Sequence, residues 1–143
     1  VNAEVELPDC LEAYCVAVTL VGSRVTCSPP PTDTDQDVLC YVSEEAWPDL
    51  LFDLELLGWE FDGCEHYANA LNEGVGFRSY RNGELNLVLT TDKEFHRRFL
   101  AATSIAKRFN LLEKDDRIAL FQAVLYGNAC GPTWDELLSG DAS

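Results

Sequence analysis

Gly22-Ser23, an eleven-residue gap from Arg24 to Thr34, then Asp35-Gln36-Asp37-Val38-Leu39-Cys40-Tyr41-Val42: on this stretch the fold turns. Val38 to Val42 is an unbroken apolar run of strand length, the pattern of a strand covered on both faces. Asp35 and Asp37 open it. Side chains alternate along a strand, so the two carboxylates leave on the same side. Two acids at a strand mouth can share one or two hard divalent cations, with nucleotide phosphates filling the remaining positions. Gly22-Ser23 ends an earlier apolar run, Tyr14 to Val21. Glycine there lets backbone N–H groups and the serine hydroxyl come up to those phosphates. The plain alternative for Asp33, Asp35 and Asp37 is a polar turn ahead of a strand.

Outward from this stretch, Tyr14 to Val21 is β-branched and apolar and predicts a buried strand. Arg24 to Thr34 holds Pro29-Pro30-Pro31 and predicts a loop. Ser43 with Glu44, Glu45 and Pro48 starts a helix near Trp47, in which Leu50, Leu51, Leu54 and Leu57 share a face and Gly58 caps the end. A short strand is expected at Trp59 to Phe61. Phe77 to Arg81, Asn82-Gly83, and Glu84 to Thr90 form a hairpin, Asn-Gly being a preferred two-residue turn. Thr91 and Glu94 make a capping box for a helix whose core stripe is Phe95, Phe99, Ala102, Ala106 and Phe109. A further helix runs from about Lys114 to Tyr126, ending at Gly127, and a last one starts at Thr133. The fold class is therefore α+β: a small mixed β-sheet with helices packed against it. One domain over 1–143 is expected, with its sheet at about 14–90 and its C-terminal helices at about 92–138.

The chain has 143 residues, 47% of them hydrophobic, enough for a packed core. Its net charge of −15 is uneven: residues 1–73 carry sixteen acids and one base, whereas residues 74–143 carry nine of each. An acidic half of this kind excludes wrapping of duplex DNA, which needs clustered Lys and Arg. It is a solvated face or a surface for a basic partner protein. No run approaches membrane-spanning length and no basic-then-apolar segment opens the chain, so no membrane association is expected. The six cysteines form no C-x-x-C pair. The apolar neighbours of Cys15 and Cys40 point to buried, reduced thiols and a cytoplasmic setting. Cys10, Cys15, Cys64 and His66 match no zinc spacing.

Gly22-Ser23, the gap, and Asp35-x-Asp37 opening an apolar strand resemble the signature of the nucleotidyltransferase superfamily, which includes DNA polymerase β-like and minimal nucleotidyltransferases. The stretch Leu87 to Tyr126 (LVLTTDKEFHRRFLAATSIAKRFNLLEKDDRIALFQAVLY) is similar to small bacteriophage proteins described as nucleotidyltransferase-like. The resemblance implies a nucleotidyltransferase-like fold and transfer of a nucleoside monophosphate from an NTP to a protein or RNA acceptor. It implies Mg²⁺ or Mn²⁺ held by Asp35 and Asp37, and β/γ-phosphates contacted by Gly22 and Ser23. Arg24 would add positive charge there, and Asp33 stays in an outer shell. It would also place the protein in a host-cell cytoplasm. The family's third carboxylate aligns with Asn86, which can ligate a metal through its carbonyl but cannot accept a proton. Glu84, expected two residues away on the same strand face, is the substitute. Transfer is then attenuated, or the protein is a non-catalytic, acidic binder that blocks a basic host factor. Lys93, Arg97, Arg98, Lys107 and Arg108 form a basic helix edge, either solvated or gripping a nucleotide or RNA. His96 reads as a helix-surface residue, and Trp47, Trp59 and Trp134 as core residues.

Overall fold

The structure, a computed structural model, describes residues 6–31, 35–62, 67 and 77–127. In chain order its elements are α1 (Asp9–Tyr14), β1 (Cys15–Val21), α2 (Ser23–Thr26), β2 (Gln36–Val42), α3 (Trp47–Leu56), β3 (Glu60–Asp62), β4 (Phe77–Asn82), β5 (Leu85–Thr90), α4 (Lys93–Phe109) and α5 (Lys114–Tyr126). The helix expected from Thr133, along with Asp33, Cys64, His66 and Trp134, lies outside the described residues. The five strands form one sheet in the order β1-β2-β5-β4-β3. β2 and β5 run parallel, and the other neighbours are antiparallel. The architecture is α+β, a small mixed sheet with helices packed on both faces.

Alternation along β2 and β5 sorts the core into two layers. Val38, Cys40, Val42, Leu87 and Leu89 point to one face and pack with Tyr80, Leu11 of α1, Leu50 and Leu54 of α3, and Trp59. Leu39 and Val88 point to the other, where Phe95, Phe99, Ala102 and Ala106 of α4 meet Phe121 and Leu125 of α5. Burial on both sides explains why β2 reads as a continuous apolar run.

The structure corrects several expectations. β1 is an edge strand rather than a buried one: Val16 is 67% exposed, and the pairing with β2 is irregular between Cys15 and Ala17. The residues before it form helix α1, which the sequence reading left unassigned. The expected loop after Gly22 begins with the single helical turn α2. α3 starts as expected with Pro48 in its first turn, but Leu57 caps the helix and is exposed. The hairpin turn slides by one residue. Asn82 pairs with Leu85, so the two turn residues are Gly83 and Glu84, with Gly83 at φ 61°. One positive φ at the first turn position is what a glycine-led hairpin turn needs, and asparagine can stay in the ladder. Glu84 is therefore in the turn and not on the strand. Phe109, placed in the core stripe of α4, is exposed beside Asn110, which ends the helix at φ 50°.

The N-terminus of α4 is also displaced. Asp92, not Thr91, is the cap: its Oδ1 accepts from the backbone N–H of Glu94 at 2.9 Å and of Phe95 at 3.2 Å. Glu94 turns instead to Arg97 and Arg98, three and four residues on. Asp92→Ala should lower stability by about 1 kcal/mol, whereas Thr91→Ala should change it by a few tenths at most. Urea unfolding of the two variants distinguishes them, and a larger loss in Thr91→Ala would restore the capping box.

Candidate functional site

One row of residues crosses the whole sheet where β1 ends and β2 and β5 begin: Val21, Asp37, Asn86, Arg81 and Glu60 are successive register partners. Partners in register share a face. This face is the one that carries Leu39 and Val88 toward α4 and α5. Asp35 lies two residues before Asp37, and Asp62 two residues after Glu60, so both join the row. The parallel pairing of β2 with β5 sets Asp37 directly beside Asn86 on the central strand.

Asp37 is the pivot. Its Oδ1 accepts a hydrogen bond from Asn86 Nδ2 at 3.1 Å. Its other side presses on the turn that ends β1. A Cβ built on Gly22 would lie 2.9 Å from both Cβ and Cγ of Asp37, and closer still to Oδ2. Gly22 has φ 86° and ψ −175°, a conformation reserved in practice for glycine. The glycine is thus required twice, by its own backbone and by the carboxylate packed against it. The space a Cβ would need at Gly22 is filled by the Asp37 side chain. Enclosure by protein pushes the Asp37 carboxyl up to about 6, with the Asn86 hydrogen bond opposing, Asp35 adding, and Arg81 and Arg24 opposing.

The other expected site residues are placed as follows. Asp35 is ion-paired to Arg81 Nη1, and Arg81 Nε reaches Asp62 at 3.1 Å, so one guanidinium bridges two acids. Glu84 is paired elsewhere: its side chain is 80% exposed and meets Arg24 Nη2 at 3.2 Å. Arg24 follows the Gly22-Ser23 turn, and its Nε is buried without a partner among the described residues. Asn86 is 3% exposed, and its Oδ1 likewise has no partner among them. The structure therefore brings together Gly22, Asp35, Asp37 and Asn86 and leaves Glu84 to one side. Arg81 and Asp62 were missed. Their signal was the hairpin register: with the turn at Gly83-Glu84, Arg81 falls opposite Asn86.

Two further expectations change. His96 is half-buried, with its ring stacked on Tyr41 of β2 at 5.0 Å and its Nε2 unpartnered, so it is no plain surface residue. The basic edge of α4 is partly committed, because Arg98 donates to the Leu125 carbonyl at 3.1 Å as well as to Glu94.

The donor set suits a hard cation that arrives with phosphates. Asp35 and Asp37 offer two carboxylates and Asn86 Oδ1 a neutral oxygen, and magnesium is commonly held by one or two carboxylates plus phosphate and water oxygens. Among the described residues, no three His, Cys, Asp or Glu side chains converge to hold a metal ion by themselves. A resident, all-protein metal centre does not fit these residues.

No protein-family model and no curated protein matches the chain. A solved structure does: it is similar to the conserved protein GrpB from Enterococcus faecalis, with a TM-score of 0.50 and 20% identity, over 82% of this chain and 85% of that one. At that identity the likeness speaks for the fold alone. It supports the α+β fold, a small mixed sheet with helices packed against it. Among the described residues, no helix is long and apolar enough to cross a membrane.

Proposed function

We propose that this chain binds an NTP with Mg²⁺ or Mn²⁺ and transfers its nucleoside monophosphate, slowly, to a macromolecular acceptor such as a protein or RNA. The observation that carries this is the contact of the Asp37 carboxylate with the Gly22 turn, two residues from Asp35 and hydrogen-bonded to Asn86. A bound cation, held by Asp35 and Asp37 with Asn86 Oδ1 as neutral ligand, would supply charge neutralisation for the triphosphate. Gly22 and Ser23 contact the β- and γ-phosphates from the turn, and Arg24 adds a positive charge beside them. In the transfer the acceptor oxygen bonds to the α-phosphorus as its bond to pyrophosphate breaks, and the acceptor proton must pass to a base. Asn86 cannot take that proton, and Glu84 is held in an ion pair with Arg24. Losing a general base typically costs about 10²–10⁴-fold in rate, hence an attenuated enzyme. A phage origin and a host-cytoplasm location belong to the same proposal, on the resemblance of Leu87 to Tyr126.

Calorimetric titration with each of the four NTPs and Mg²⁺ tests it. Binding of at least one NTP, abolished in the Asp35→Ala/Asp37→Ala variant, is the expected result. Failure of all four NTPs to bind in the presence of Mg²⁺ or Mn²⁺ overturns it. A salt-sensitive complex with a basic protein would then make the acidic half the working surface. Where binding is found, label transfer from the preferred NTP to protein or RNA of a lysate identifies the acceptor class.

A further inference from the structure

We propose that Arg81 is a built-in competitor for the divalent cation: its Nη1 occupies Asp35 until a metal displaces it, while its Nε stays anchored on Asp62. This rests on the metal-dependent reading above and gives it a control element. The guanidinium is forked, and its two arms serve two different acids, Asp35 through Nη1 and Asp62 through Nε at 3.1 Å. Arg81 also pairs in register with Asn86, so it reaches Asp35 along the same row that holds Asp37. While that arm remains, Asp35 Oδ2 is taken and a cation approaching Oδ1 meets the guanidinium charge beside it.

The second observation lies on the facing amide. Asn86 is 3% exposed, its Nδ2 donates to Asp37, and its Oδ1 is buried without a partner among the described residues. A buried acceptor left unpaired is costly. Turning the amide to point Oδ1 at Asp37 would set two acceptors against each other, unless a cation lies between them. The row thus rests in a state in which Arg81 answers Asp35, Asn86 Nδ2 answers Asp37, and one oxygen is orphaned. A metal on Asp35, Asp37 and Asn86 Oδ1 gives that oxygen a partner and releases one arm of Arg81. Asp62 keeps the released side chain in place, so the exchange needs no movement of the strand.

Binding of Mn²⁺ to the full chain in the presence of each of the four NTPs at saturation, read by electron paramagnetic resonance, tests the competition. Arg81→Gln should bind Mn²⁺ about tenfold more tightly than wild type, since it removes a positive charge at contact distance in a partly enclosed site. Arg78→Gln supplies the control. It makes the same charge change on the same strand but on the opposite face, where Arg78 lies over Phe61 at 5.2 Å. Its effect should stay below about twofold. If wild type binds Mn²⁺ in an Asp37-dependent way and Arg81→Gln is no tighter than Arg78→Gln, the competition is wrong and the metal reading stands. If neither wild type nor Arg81→Gln binds better than Asp35→Asn/Asp37→Asn, the metal reading falls and the competition falls with it. Should Arg81→Gln not fold, nuclear magnetic resonance on wild type decides. Mg²⁺ titrated with NTP should speed exchange of the Arg81 Nη protons while the Nε–H signal persists, and an unchanged Nη signal at saturation overturns the proposal.

Discussion

Gly22→Ala is expected to lower stability by about 3–5 kcal/mol, combining the cost of a non-glycine residue in this backbone region with that of overpacking against Asp37. Both contributions are local. With φ 86° and ψ −175° the position is strained for any side chain, and the added methyl meets Cβ and Cγ of Asp37 at 2.9 Å. The two parts separate in a double-mutant cycle. Asp37→Ala removes the carboxylate but leaves the backbone conformation, so the penalty of Gly22→Ala should shrink by about 1–2 kcal/mol in that background. Chemical denaturation of the four chains measures it. Equal penalties in both backgrounds would mean that the acid does not touch the turn. In that case the Gly-Ser corner and the Asp-x-Asp strand mouth form no common site.

That contact also shows what the sequence could and could not say. The apolar run Val38 to Val42, headed by two acids and preceded by Gly-Ser, was enough to place Asp35 and Asp37 on one face near Gly22, because strand alternation is strict and glycine marks the turn. The helical stripes of α4 were legible for a similar reason: Phe95, Phe99, Ala102 and Ala106 repeat at helical spacing and are buried. Errors arose where two local solutions were close in energy. Asn82-Gly83 and Gly83-Glu84 both make good hairpin turns, and only tertiary pairing of β5 with β2 selects between them. That single step decides that Glu84 leaves the strand and that Arg81 faces Asn86. Thr91 and Asp92 are both good caps, and one residue of phase in α4 separates them. The exposure of Val16 was illegible, since an apolar β-branched run looks the same at a sheet edge as at its centre. The bridge from Asp35 through Arg81 to Asp62 joins β4 and β3 to the residue just before β2. Nothing in the local pattern of any one strand encodes it.

Asp37→Asn is expected to be more stable than wild type by roughly 2–3 kcal/mol at pH 7.5 and equal to it near pH 4. The sign follows from the direction of the shift. The folded carboxyl is pushed up to about 6 from an ordinary value of 3.8, mainly by burial. Between these values the folded chain holds a proton that the unfolded chain has lost. Stability contributed by this group is therefore fully present below the lower value, drains away as pH rises to about 6, and is flat above. Asparagine is neutral throughout and keeps the oxygen that accepts from Asn86 Nδ2, so the variant should show no such decline. The two chains differ at this one group, so the difference between their pH profiles reports Asp37 together with its coupling to Asp35. In melting temperature the gap at pH 7.5 should amount to about 5–10 °C. A difference that stays constant from pH 4 to 8 would mean that Asp37 is ionised at little cost. Saturating Mg²⁺ with NTP should close the gap from the wild-type side, because a ligand that binds the folded ionised form stabilises it by mass action and finds no equivalent charge in the variant. Closure of the gap would mark Asp37 as a residue held at a loss of stability in the ligand-free chain, and a gap unchanged by Mg²⁺ with NTP would mean that no cation reaches it.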